Sequence, residues 1–149
     1  MKFPYLCSAM KPSESTYSKC LYFTASALAR KVEKLAIDSW KKIDLSPSHA
    51  YLLLLVLTEP GIAAGSAANE LQLTPSTITR LIEKLENKKL LIRAAEGKQT
   101  NLYPTQKARD LKPIMKSCVN DFHEKYVGIL GEKESNQLIH NMHTIADKL

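Results

Sequence analysis

At 149 residues, with 44% hydrophobic and 24% charged side chains, the chain has the size and composition of a single soluble globular domain and not of a disordered or fibrous one. Its net charge of +6 suits a polyanionic partner. That charge is divided as +4 over Met1–Asp44, +1 over Leu45–Thr105 and +1 over Gln106–Leu149, so it permits nucleic-acid binding without locating it.

In chain order, Met1–Pro12 reads as an irregular arm. From about Glu14 to Ser39, Leu21, Thr24, Leu28, Val32, Leu35 and Ala36 recur at helical spacing and predict a long amphipathic helix. Ser46-Pro47 pairs an N-cap with a proline at the first helical position, opening a largely apolar helix that Glu59-Pro60-Gly61 stops near Thr58. A short helix over about 64–71 is weakly specified, because Ala63 and Ala64 cannot cap and Gly65 costs ~1 kcal/mol of helix propensity. Thr74-Pro75 repeats the cap-then-proline signal and opens a helix to about Lys88.

Leu90–Arg93 and Asn101–Tyr103 predict two short strands around the turn Glu96-Gly97-Lys98. Thr105 caps a helix over 106–130, with Leu111, Ile114, Met115, Cys118, Val119, Phe122, Tyr126, Ile129 and Leu130 along one face. Pro113 predicts either a kink there or a later start. Gly131 breaks this helix, and a last one follows over 132–148 with Leu138, Met142, Ile145 and Leu149 inward. The expected class is mainly α with a small β-hairpin.

The helix opened by Pro75 has two distinct faces. Ile78, Leu81, Ile82 and Leu85 form a complete core stripe, while Ser76, Thr77, Thr79, Arg80 and Lys84 occupy the other side. An exposed polar face alone indicates only contact with water. Here, however, a short helix and tight turn precede it, and a hairpin carrying Lys98 and Gln99 at its tip follows. Short hydroxyls and a bidentate arginine at a helix start suit the major groove of DNA, and a charged hairpin beside them suits the phosphate backbone.

These residues resemble the MarR family, the multiple antibiotic resistance regulators. The resemblance is carried by Leu45-Ser46-Pro47, Pro60-Gly61-Ile62, Asn69-Glu70-Leu71, the run Pro75-Ser76-Thr77-Ile78-Thr79-Arg80-Leu81-Ile82-Glu83-Lys84-Leu85-Glu86, Lys89-Leu90-Leu91-Ile92-Arg93, and Tyr103-Pro104-Thr105. It implies a winged helix-turn-helix over 45–105, flanked by dimerisation helices in 1–44 and 106–149, all within one intertwined structural domain. It also implies contact of Ser76, Thr77, Thr79 and Arg80 with bases or nearby phosphates, and of the wing with the backbone. The usual acidic-x-arginine-arginine wing tip is replaced by the shorter Glu96-Gly97-Lys98-Gln99-Thr100, in which Lys98 supplies a point charge in place of a fork.

The expected protein is thus a homodimeric, sequence-specific transcriptional regulator on palindromic double-stranded DNA, a repressor released by a small ligand. Candidate pocket walls are Tyr22, Trp40, His49 and Tyr51. One alternative is a thiol-based regulator whose effector is an oxidant: Cys20 resembles in placement the peroxide-sensing cysteine of the organic-hydroperoxide branch, although the tyrosine found there a turn later is Thr24 here. Another is a winged-helix protein-interaction module, which has little need of the hydroxyls and arginine between Thr77 and Arg80.

No nucleophile elbow, phosphate-binding glycine loop or zinc-protease motif is present, so neither an enzyme nor a cofactor is expected. His140 and His143 share a helical face and His123 lies elsewhere, with no convincing further ligand, so no metal is expected. Cys7, Cys20 and Cys118 are odd in number and widely spaced, which indicates a reducing compartment. The longest apolar run, Tyr51–Leu57, falls well short of the roughly 18 residues a membrane span needs. With no signal-peptide core at the start, the expected location is cytoplasmic and the expected partners exclude a membrane.

Overall fold

The computed structural model describes residues 10–149, so Cys7 and most of the Met1–Pro12 arm lie outside the described residues. Residues up to Lys34 and residues from Leu35 onward form two compact units. The long helix α1 (Leu21–Trp40), whose residues up to Lys34 belong to the first, begins about two turns later than its periodicity predicts. The reason is local. Pro12–Glu14 closes a 3-10 turn in which the Glu14 carboxylate accepts the Lys11 N–H at 2.9 Å, and Ser15 then turns extended. Tyr17 and Phe23 pack with ring centroids 6.1 Å apart, and the Thr24 hydroxyl donates to the Ser18 carbonyl at 3.2 Å.

The second unit contains the end of α1, a 3-10 turn over Lys41–Ile43, α2 (Pro47–Thr58), β1 (Ile62–Ala63), α3 (Ala64–Glu70), α4 (Pro75–Asn87), β2 (Leu91–Glu96), β3 (Gln99–Pro104), α5 (Gln106–Leu130) and α6 (Glu132–Ala146). The chain is mainly helical, with a three-stranded antiparallel sheet in the order β1-β3-β2. The hairpin is therefore not alone: Ile62 and Ala63 pair with Leu102 and Asn101, adding a strand too short for a period-two pattern to reveal.

Ser46 precedes α2, but its hydroxyl makes no cap. It lies 2.5 Å from His49 Nδ1 instead. At the other end Gly61, at φ +91°, donates its N–H to the Leu102 carbonyl at 2.8 Å. A β-carbon on Gly61 would meet the Tyr103 hydroxyl at 3.3 Å, so this turn requires glycine both for its backbone angle and for the tyrosine packed on it.

Pro113 does not delay α5, which starts at Gln106 under the Thr105 cap; the Thr105 hydroxyl accepts the Ala108 N–H at 3.2 Å. Pro113 and Arg109, whose carbonyl is left without that N–H, are both exposed.

Trp40, Leu52, Leu53, Val56, Leu85, Leu102, Met115 and Cys118 are the largest fully buried apolar side chains of one core that joins α2, α4, the sheet and α5. On α4 the buried set is Ile78, Leu81, Ile82 and Leu85, the stripe expected from spacing. Burying each such side chain contributes about 1.5–3 kcal/mol, which fixes the rotation of α4 about its axis and turns the opposite face outward. Leu138, Met142, Ile145 and Leu149 do not point inward as expected; within a single chain they are exposed, as are Ile129, Leu130 and Ile139. No helix among the described residues is long and apolar enough to cross a membrane.

Candidate nucleic-acid interface

The start of α4 is organised by Thr74. Its hydroxyl accepts the Thr77 N–H at 3.3 Å, capping the helix, and also lies 2.9 Å from the Thr77 hydroxyl and 3.1 Å from that of Ser76. One turn on, the Thr79 hydroxyl donates to the Pro75 carbonyl at 2.8 Å. Ser76, Thr77, Thr79, Arg80 and Lys84 are all exposed on the face opposite the core stripe. Arg80 and Lys84 belong to none of the ion pairs among the described residues.

The turn between α3 and α4 depends on a residue that spacing did not single out. Gln72 adopts a left-handed backbone at φ +53°, its side-chain amide donates to the Asn69 carbonyl at 2.9 Å, and the Leu73 N–H then reaches the Ala68 carbonyl at 2.9 Å. These bonds set how α3 leads into α4.

In the hairpin, Glu96 pairs with Gln99, leaving a two-residue turn of Gly97 and Lys98. Gly97 has φ +63° while Lys98 does not have a positive φ, the pattern of a type II′ turn, which matches the right-handed twist of its strands. Lys98 and Gln99 are exposed at the tip. Register places Glu96, Asn101 and Tyr103 on one face of the hairpin. The Glu96 carboxylate accepts from Asn101 Nδ2 at 2.7 Å and from the Tyr103 hydroxyl at 2.8 Å. Tyr103 thus braces the tip of the wing from its root, against Gly61.

Two ion pairs hold α4 to its surroundings. Arg93 at the start of the wing lies 2.6 Å from Glu86, and Lys88 reaches the Asp44 carboxylate at 2.8 Å and the Asp44 carbonyl at 3.1 Å. Lys88 in turn holds the Asp44 carboxyl below its usual range. None of these partners is predictable from helical or strand spacing, because each joins residues of different elements.

Residues 43–99 match a family model described as MarR family. Over these residues the winged helix is similar to the MarR family. Among solved structures, the winged helix and its flanking helices are similar to the transcriptional repressor CouR bound to a 23-mer DNA duplex. That match has a TM-score of 0.78 and 21% identity, and covers 92% of this chain and 98% of that one. PcaV from Streptomyces coelicolor, in complex with its natural ligand, matches with a TM-score of 0.78 and 18% identity over 89% of this chain and 96% of that one. MepR of S. aureus, in a DNA complex, matches with a TM-score of 0.75 and 20% identity over 87% and 98%. None of the curated proteins matches.

Of the four candidate pocket residues, Trp40 and Tyr51 pack together and His49 borders a cleft. Trp40 is fully buried and packs edge-on to Tyr51 with ring centroids 5.7 Å apart, while Tyr22, in the first unit, is 81% exposed. His49 lines a cleft of about 350 Å³ with Ile37, Lys41, Asp44, Leu45, Ser46, Lys84 and Lys88. Partial burial, and then the charges of Lys84 and Lys88, push the His49 pKa down.

Cys20 is exposed immediately before α1, and its carbonyl accepts the Thr24 N–H at 2.9 Å. Cys118 is buried, and that burial pushes its thiol pKa up. The rings of His140 and His143 stand 5.1 Å apart, yet among the described residues no group of three metal-ligating side chains gathers.

Proposed function

We propose that the chain is a homodimeric, sequence-specific DNA-binding transcriptional regulator, a repressor whose release from DNA is controlled by a small ligand. The observation that carries this reading is the outward face of α4: Ser76, Thr77, Thr79 and Arg80 project opposite a fully buried stripe, beside a wing tipped by Lys98 and Gln99. Arg80 supplies the fork that recognises a guanine edge, and the hydroxyls fit close to bases or phosphates. Lys98 supplies backbone attraction that does not depend on sequence.

Dimerisation is supported by the apolar side chains that a single copy leaves in water on α5 and α6: Ile129, Leu130, Leu138, Ile139, Met142 and Ile145. A second copy covering them would set two α4 helices on a palindrome. The repressor role is supported by the likeness to CouR, and ligand control by the likeness to PcaV and by the cleft at His49. The test is selection of bound duplexes from a random pool by the full chain, which should enrich a two-fold symmetric motif; an unenriched pool would overturn the proposal.

A further inference from the structure

We infer that Thr79 reads a thymine through its methyl group, within about two base pairs of the guanine recognised by Arg80. The inference rests on the DNA-binding role proposed for α4 and specifies which base chemistry that face accepts.

A hydroxyl has one proton and two lone pairs. The Thr79 proton is engaged by the Pro75 carbonyl at 2.8 Å, within its own helix. With the oxygen bonded back onto the backbone of the preceding turn, the γ-methyl is what this exposed side chain has left to offer a partner. Thr79 is therefore a poor donor to the guanine acceptors N7 and O6, and it presents an apolar tip. In the major groove the apolar feature that distinguishes one base from the others is the C5-methyl of thymine.

The neighbouring hydroxyls leave the same imbalance. Thr74 already accepts one N–H from Thr77, so it has a single lone pair left for two hydroxyl contacts, at 2.9 Å to Thr77 and 3.1 Å to Ser76. It must accept from one and donate to the other. Of the four hydroxyl protons on Thr74, Ser76, Thr77 and Thr79, three are engaged within the helix start and one remains free, on Ser76 or Thr77. Arg80 is the side chain on this turn whose donors are not engaged in an ion pair among the described residues. Donor readout thus falls to Arg80 and to the one hydroxyl left free on Ser76 or Thr77, while Thr79 contributes a methyl contact beside them.

The experiment uses the duplex enriched from a random pool by the full chain, with each thymine replaced in turn by deoxyuridine, which deletes only the methyl group. One thymine per half-site should lose about fourfold in affinity on replacement, the value of one buried methyl group. That loss should persist in Thr79→Val, which keeps the methyl, and vanish in Thr79→Ser, which lacks it. Insensitivity of every thymine, persistence of the loss in Thr79→Ser, or its disappearance in Thr79→Val would each overturn the inference. Failure to enrich any duplex would instead count against the DNA-binding role itself.

Discussion

The Arg93 guanidinium stands 2.6 Å from the Glu86 carboxylate, joining the last turn of α4 to the first strand of the wing. Both side chains are partly exposed, so the pair contributes only about 0.5 kcal/mol to stability. Its consequence is orientation: it fixes the angle between the helix that would enter the groove and the hairpin that would grip the backbone. Arg93→Ala should therefore leave the unfolding midpoint nearly unchanged while accelerating amide exchange across β2 and β3. Exchange at the original rate would show that the hairpin is held without the pair.

Arg80 and Lys98 should fail in different ways. Arg80→Ala should weaken binding to the preferred duplex by ~1–3 kcal/mol and relax the choice of base at one position per half-site. Lys98→Ala should weaken binding to all sequences alike and flatten the salt dependence, because a phosphate contact releases counterions whatever the base. Titrations against preferred and scrambled duplexes at several salt concentrations separate the two. Equal losses on both duplexes for Arg80→Ala would remove it from base recognition.

His49 makes stability depend on pH in a defined direction. Its folded pKa lies below its ordinary value of 6.5, so the unfolded chain takes up the proton first as pH falls. The stabilisation from a neutral His49 is complete above about pH 6.5 and is lost as pH drops through that value toward the folded pKa. Urea midpoints at pH 7.5 and 5.5 should fall further for the wild type than for His49→Gln. The carboxylates Asp38 and Asp44 act in a lower window: Asp38, hydrogen-bonded by Lys125 and Lys41, is held at about 2, so its contribution is lost only in stronger acid. Identical losses in the two proteins between pH 7.5 and 5.5 would assign the pH dependence elsewhere.

The two described cysteines should differ in reactivity. In a Cys7→Ser background, a thiol reagent should modify exposed Cys20 quickly and buried Cys118 only on unfolding. Rapid modification of both thiols in the native protein would contradict the packing of α5 against the core. The same background tests a sensing role: hydroperoxide should release DNA from the protein carrying Cys20 but not from Cys20→Ser, and release from both would exclude that cysteine as the sensor.

Much of this architecture was legible because its signals are local. Thr74-Pro75 and Thr105 mark helix starts through the bonds they make to nearby N–H groups, and the stripe Ile78, Leu81, Ile82 and Leu85 is a helical period read directly. The misreadings arise where distant groups decide. The strand Ile62–Ala63 exists because β3 offers it a partner, not because two residues carry a pattern. Ser46 has the character of a cap, yet its hydroxyl lies against His49. The edge-on contact of Trp40 with Tyr51 likewise depends on which neighbours the fold gives each ring, which aromatic character does not reveal. The braces Glu86–Arg93, Asp44–Lys88 and Glu96–Tyr103 depend on registers and helix crossings that only the folded chain supplies.

The central claim is that α4 recognises DNA sequence as one of a symmetric pair, and selection from a random duplex pool tests it most directly. Two inverted half-sites whose centres lie about one helical turn apart should be enriched, and that enrichment should be lost when the selection is repeated with Arg80→Ala. A pool that stays random for the wild type, or a motif that emerges unchanged with Arg80→Ala, would contradict it.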